Sequence, residues 1–264
     1  MFYGASTEGG DPTTLEADLG QPLVLFRSYF DGDDPASKFV DRAGDDLANG
    51  RLPLMSTKLP GPWLDVANGV YDDWLIERID GLAALPGPVW LCLHHEPTHD
   101  GLPEDWIAMQ QHARVLIDAR STNIALVGIL NGWDFLEPDP HPEVWNHPVG
   151  TGVHVMGFDS YNGWSEANGV PWRSPESTFS PGVTIAGWGY PTVVGEHGVR
   201  TDPTAPGAAA DWMRAAYDFA LTNGFAGVSY FDSGQNSPDG TWALDAERLP
   251  AFAELAARPE TAHL

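Results

Sequence analysis

Eight short apolar or β-rich runs recur along the chain with helical stretches between them. They are Phe2–Ser6, Leu23–Tyr29, Leu52–Lys58, Val89–His95, Ile124–Leu130, Val153–Asp159, Thr192–Gly195 and Ala226–Tyr230. Strands that alternate with helices pair in parallel, because a parallel crossover needs a dozen or more residues and a helix supplies them. Eight such units within 264 residues predict closure into a (β/α)8 barrel, an α/β fold that takes ~250 residues as one domain. The whole chain, 1–264, is therefore expected to be a single catalytic barrel. An open doubly wound sheet would place a glycine-rich phosphate loop after its first strand. The segment FYGASTEGGDP holds neither G-x-G-x-x-G nor G-K-[ST].

Helix patterns fill the gaps. Tyr71–Leu85 carries Trp74, Leu75, Ile79 and Leu82 at helical spacing. Pro103–Arg120 opens with proline at a helix start and carries Trp106, Met109 and Leu116. Ala208–Thr222 carries Trp212, Ala216 and Phe219, and Gly224 stops it. Glu247–Ala257 closes the chain. Two stretches read as long loops, the proline-rich Glu137–Val149 and Asn162–Ser180. Both follow strands, so both belong to the C-terminal face, where barrel active sites are built.

The balance of charge limits the partners. Thirty-seven acidic against 13 basic residues give a net charge of −24. That field repels phosphate backbones and anionic lipid surfaces, so neither nucleic acid nor membrane is expected as a partner. A neutral oligo- or polysaccharide suits it better. No run reaches the ~18 apolar residues of a membrane span. The single cysteine, Cys92, excludes an internal disulfide and has the apolar neighbours of a buried structural thiol. A monomer without cofactor is expected.

In a barrel the chemistry sits at the C-terminal strand ends. In order these ends offer Arg27, Lys58, His94-His95-Glu96, Asn131 with Trp133, Asp159 with Tyr161, Glu196-His197, and Tyr230-Phe231-Asp232. The concentration of polar and aromatic groups exceeds what stability requires. Two glutamates, Glu96 and Glu196, directly follow the apolar strands VWLCLHH and TVVG, the fourth and seventh. Alternation along a strand aims Trp90, Cys92 and His94 the same way as Glu96, and Val194 the same way as Glu196. Glycoside hydrolysis needs such a pair: one carboxylic acid to protonate the leaving oxygen, one carboxylate across the sugar. Retention of configuration requires the two groups to be ~5–5.5 Å apart. Glu96 must then hold its proton near neutral pH, while Glu196 stays ionised beside donors such as Arg27 and Tyr161.

These motifs resemble the large clan of retaining barrel glycosidases, which carry glutamates at the ends of strands four and seven. Within it the pattern is most similar to glycoside hydrolase family 26, best known as β-mannanases. There His precedes the acid/base, as His95-Glu96 does here. The segment HPVGTGVHVMGFDSYNGW resembles that family's sixth strand through Asp159-Ser160-Tyr161, and PTVVGEHGV resembles its nucleophile strand. The resemblance implies Glu96 as acid/base and Glu196 as nucleophile. It further implies that Tyr161 hydrogen-bonds the nucleophile and that His95 helps order the two carboxylates. His197 stands where the family usually has Phe, and the PTHDG that follows Glu96 departs from the Asn-Gly common in mannanases.

Sugar rings stack on indole. Trp133 and Trp164 follow strands five and six directly and are the preferred platforms. Trp172, Trp188, Tyr230 and Trp242 are also placed on the top loops, and Lys58, Asp159, Trp188, Tyr230 and Asp232 complete the expected substrate contacts with Arg27, His95 and Tyr161. Trp74, Trp106 and Trp212 are read as packing. Two other function classes remain open. His95-Glu96-Pro97-Thr98-His99 matches the zinc motif H-E-x-x-H, which requires a helix that Pro97 and the preceding strand disfavour. A metal-dependent hydrolase could instead draw on His94, His99, Asp159 and His197. A non-catalytic carbohydrate-binding barrel would keep the aromatic platforms without turnover. Asp31-Gly32-Asp33-Asp34 begins like a calcium loop but lacks the bidentate Glu, and reads as a solvated turn. Two lysines against eleven arginines, with abundant Ala and Asp, point to a GC-rich source such as an actinobacterium or its phage. The expected place of action is outside the cell or at its surface, as a mature or excised domain acting on a cell-wall or similar glycan.

Overall fold

The computed structural model describes residues 1–137, 140–146, 150–235 and 241–264. Pro138, Asp139, His147, Pro148 and Val149, part of the proline-rich loop foreseen over 137–149, lie outside them. Eight parallel strands close into a barrel in sequence order. They are β1 (Phe2–Thr7), β2 (Leu25–Phe30), β3 (Leu52–Thr57), β4 (Val89–Leu93), β5 (Ile124–Asn131), β6 (Val155–Asn162), β7 (Thr192–Val199) and β8 (Gly227–Asp232), and β1 pairs with β8 to shut the ring.

Helices α1 (Thr13–Leu19), α2 (Ala36–Ala48), α3 (Trp63–Ala67), α4 (Asp72–Ala83), α5 (Pro103–Arg120), α6 (Pro175–Gly187), α7 (Ala208–Thr222) and α8 (Arg248–Ala256) surround it. The connection from β5 to β6 holds two short 3₁₀ turns, Gly132–Phe135 and Pro142–Trp145, and no α-helix among the described residues. Two apolar layers result. Leu25, Leu52, Leu54, Trp90, Cys92, Val127, Ile129, Val155 and Val193 fill the barrel interior. Their strand neighbours, such as Phe26, Met55, Leu91, Leu126, Phe158 and Val228, pack outward against the helices. Trp90 plugs the floor, where a side chain at Gly227 would come within 3.0 Å of its ring.

Residues 162–180, expected to be loop, turn helical at Pro175. Ser174 caps α6 by accepting the Ser177 amide at 3.2 Å, and proline occupies the first turn. Both are start signals, masked in the sequence by Pro181 inside the helix. Trp106 and Trp212 are buried as read.

The two long strands near the site contain the one local irregularity that matters. Phe158 pairs with Val194, yet Asp159 pairs with Glu196, and the register against β8 also slips between Val194 and His197. One extra residue is therefore inserted in β7 at Gly195. Such a bulge re-aims side chains. Val194 packs toward the helices, while Gly195 and Glu196 both face the barrel. Simple alternation had aimed Val194 and Glu196 alike, and the bulge corrects that.

Candidate active site

Inward alternation on each strand brings Ser6, Arg27, Tyr29, Asp159 and Tyr161 to the C-terminal mouth, and the bulge adds Glu196. Arg27 is the hub. Its side chain is wholly buried, and its Nη1 donates to Asp159 Oδ1 at 2.9 Å and Oδ2 at 3.2 Å. Nε donates to Ser56 Oγ at 3.0 Å, and Nη1 also lies 3.2 Å from Glu196 Oε1. Burial opposes the Arg27 charge, but Asp159, Tyr29 and Glu196 outweigh it and hold its pKa well above the usual arginine value. Gly195 is needed beside this pair. A Cβ there would stand 2.5 Å from Asp159 Oδ1 and 2.7 Å from Arg27 Nη1.

Glu196 is 7 % exposed. The Tyr29 hydroxyl donates to its Oε1 at 2.7 Å, and the Tyr161 hydroxyl donates to its Oε2. Trp242 lies against Tyr161, ring centroids 4.7 Å apart, and so fixes that donor rather than presenting a sugar platform.

Glu96 lies just past β4. Its amide donates to Ile129 O at 2.9 Å. Among the described residues the non-glycine positive φ angles are His94 (53°), Glu96 (52°) and His99 (74°), all in this one loop. Left-handed backbone costs about 1–2 kcal/mol per residue, and strain of this kind concentrates at functional sites. Burial, then the charge of Glu196, pushes the Glu96 carboxyl up to about 7. Glu96 directly follows β4 and Glu196 lies in the C-terminal half of β7, so both belong to the C-terminal end of the barrel. His95 is half-buried with its ring 5.7 Å from that of Tyr29, and its Nδ1 is buried without a hydrogen-bond partner. Burial, reinforced by Arg27 and Lys58, drives its pKa well below the usual value, so it is a neutral imidazole.

The other expected contacts divide. Lys58 directly follows β3 at the mouth, with Nζ 3.8 Å from Asp100 Oδ2. Trp133 is 38 % exposed and stacks on His99 at 5.5 Å. Trp164 is half-buried on the β6–α6 loop and packs edge-on against Trp172. Arg27 and Asp159 have side chains with 0 % exposure, so they hold Glu196 from behind and cannot touch a ligand. Tyr230 is not a contact either. It is wholly buried on the helix side of β8, and its hydroxyl donates to Trp242 O at 2.7 Å. Asp232 shares that outward parity and accepts the Leu244 amide at 2.7 Å. Trp188 ends α6 in a helix-to-strand connection, which belongs to the opposite barrel face, and packs on Phe135. Sequence reasoning placed Phe231 at a strand end but left it out of the expected contacts, and it packs 6.2 Å from Tyr161. Tyr29 was given no role at all. Period-two counting from Arg27 reaches Tyr29, and from Gly227, whose Cβ would meet the interior Trp90, it reaches Phe231.

The residues that a metal reading gathered do not converge. His197 leaves the barrel and packs against Phe179, Trp212 and Tyr230. His94 Nε2 pairs with Asp100 at 2.7 Å. Residues 95–99 form a loop, not the helix that H-E-x-x-H requires. Among the described residues no group of three or more His, Cys, Asp or Glu could hold a metal ion, and no helix is long and apolar enough to cross a membrane.

His197 carries a prediction of its own. Both ring nitrogens are buried without hydrogen-bond partners, and burial pushes its pKa down to about 3. A phenylalanine would fill the same space without that desolvation cost. His197→Phe is expected to add about 1–3 kcal/mol, read as a higher Tm. Because the folded-state pKa is depressed, the wild type also loses stability as pH falls from the ordinary histidine range toward 3. The variant should lose less over that window, and a variant no more stable than wild type at pH 7 would contradict this account.

No protein family and no curated protein matches the chain by sequence. Solved structures do match in shape. The family 26 endo-β-1,4-mannanase catalytic domain of Bacillus sp. JAMB-750 superposes with a TM-score of 0.65 at 14% identity, over 100% of this chain and 87% of that one. The fungal β-1,4-galactanases give 0.66 at 12%, over 95% and 93%. The glucosidase of Croceicoccus marinus gives 0.63 at 13%, over 97% of this chain but only 65% of that longer one. The chain has the fold of the barrel glycoside hydrolases. These three share its closed barrel of eight parallel strands.

Proposed function

We propose that the chain is a retaining glycoside hydrolase, with Glu96 as acid/base and Glu196 as nucleophile. One observation carries the reading. A glutamate held protonated to about pH 7 shares the barrel mouth with a second glutamate that accepts from two tyrosines and faces a buried arginine. A carboxyl raised by burial suits the acid role, and a carboxylate ringed by hydroxyl donors and a cation suits the nucleophile. In the first step Glu196 attacks the anomeric carbon while Glu96 gives its proton to the departing oxygen. The charge on Glu196 disappears into the ester, so Glu96 loses a repulsive neighbour and can ionise. In the second step Glu96 takes a proton from water, the water oxygen joins the anomeric carbon, and Glu196 leaves as carboxylate.

The substrate class follows from charge and from the rim. A net charge of −24 disfavours anionic polymers, and Trp133 and Trp164 offer flat apolar faces for sugar rings. The mannan- and galactan-cleaving names of the structural relatives agree with a neutral β-linked polysaccharide. A polymer of that kind is met outside the cell or at its surface.

A panel of β-mannan, β-galactan, β-glucan and cell-wall glycans tests the reading, with proton NMR following the anomer first formed. Retention is expected. Inversion would remove the double displacement, and sugar binding without any turnover would favour a carbohydrate-binding barrel instead. The pH profile supplies a second check. Glu96 must be protonated in the first step, so kcat/KM should fall about tenfold per unit above pH ~7. Glu96→Gln should abolish that limb.

A further inference from the structure

The grip on Glu196 is uneven. Oε1 faces two groups: it accepts from the Tyr29 hydroxyl at 2.7 Å and stands in an ion pair 3.2 Å from Arg27 Nη1. Oε2 faces one, the Tyr161 hydroxyl. On Oε1 a hydrogen bond and the adjacent cation together hold negative charge, whereas on Oε2 a hydrogen bond does so alone. Tyr29 also has a second acceptor, Ser6 Oγ at 3.2 Å on the neighbouring strand. One hydroxyl carries one hydrogen, so it serves Glu196 or Ser6 and not both. The ring itself is held, with the Arg27 guanidinium 5.0 Å and the His95 ring 5.7 Å from its centroid.

We propose that Tyr29 is a positioning residue for this reaction: it makes Oε1 the spectator oxygen, leaves Oε2 to attack, and turns its hydrogen toward Ser6 while Glu196 is esterified. The proposal rests on the glycosidase reading of the site. In the first step the bond from Oε2 to the anomeric carbon forms, and the bond to the leaving oxygen breaks as that oxygen takes the Glu96 proton. Tyr29 keeps its own proton throughout. Oε1 becomes an ester carbonyl, a weaker acceptor than a carboxylate, and the hydroxyl can swing to Ser6 Oγ. In the second step the bond from Oε2 to the sugar breaks and negative charge returns to the carboxylate. The hydroxyl swings back and stabilises that charge as it forms. Tyr29 therefore assists departure more than attack.

Two readouts test this. The first needs no substrate: the Glu196 carboxyl is titrated by ¹³C NMR, its signal assigned by its loss in Glu196→Gln. Losing a hydrogen bond to a charged group should raise the midpoint by about one unit in Tyr29→Phe. Ser6→Ala removes the resting place of the hydroxyl when Glu196 is neutral, so its midpoint should move the other way. The second readout is kinetic, on an activated aryl glycoside. Tyr29→Phe should lower kcat by about 10- to 100-fold and kcat/KM by much less, with a burst of aglycone as the glycosyl-enzyme accumulates. A midpoint that does not rise in Tyr29→Phe overturns the proposal alone, as does a parallel fall of kcat and kcat/KM without a burst. Activity that survives Glu196→Ala removes the glycosidase reading and the proposal with it.

Discussion

Glu196→Ala is expected to lower kcat by on the order of 10⁴–10⁶-fold, the scale on which enzymes lose a covalent nucleophile, and azide is expected to restore part of it. The substitution removes the attacking oxygen and leaves a small space lined by the Tyr29 and Tyr161 hydroxyls and by Arg27. A small anionic nucleophile fits that space and meets the donors that served the carboxylate. Azide would then attack from the face Glu196 used, and with no second displacement the product is a glycosyl azide of inverted configuration. The barrel should survive the change, because Arg27 keeps Asp159 as its main partner. Unaltered near-ultraviolet circular dichroism checks this. Activity within tenfold of wild type would sink the assignment. Rescue to the retained anomer would mean that some other group forms the covalent bond.

Much of this site can be read from the sequence because a barrel converts strand order into position. Glu96 and Glu196 were located by the apolar runs before them, and β4 and β7 do bring them to one mouth. Arg27, Asp159 and Tyr161 needed only alternation along β2 and β6. The failures have equally definite causes. Tyr230 and Asp232 were read from their place at a strand end without counting faces, and the parity of β8 turns both toward the helices, leaving Phe231 inward. The aim of Glu196 depends on a bulge at Gly195. No periodicity announces it, because the extra residue exists only relative to partner strands far away in the chain. Trp188 was placed on the wrong face because α6, with proline inside it and serines around its start, lacks a clean helical pattern. Once α6 is recognised, Trp188 falls at its lower end. Tyr29 was overlooked because its importance lies in a contact with a residue 167 positions away, which nothing local encodes.

Asp159→Ala is the substitution expected to cost the fold most. Arg27 and Asp159 both have side chains with 0 % exposure, and the side chain of Glu196, the other acid near Arg27, is 10 % exposed. Without Asp159 a buried guanidinium is left with half its compensating charge and with Oδ1 and Oδ2 both gone as acceptors. Removing one partner of a buried pair costs about 3–5 kcal/mol, and in a domain of this size each kcal/mol is about 2–4 °C in Tm, so a fall of roughly 6–20 °C should appear in a thermal melt. The pair is nevertheless a poor investment in stability, since apolar residues of similar volume commonly replace such pairs at no loss. The double variant Arg27→Met with Asp159→Leu should therefore recover most of the lost Tm. It should not recover turnover, because Glu196 would lack the cation beside Oε1 when charge returns to it. That separation is the informative result. A double variant that regains both stability and activity would show that the pair only fills space, and a single variant that melts with the wild type would show that Arg27 does not depend on Asp159 at all.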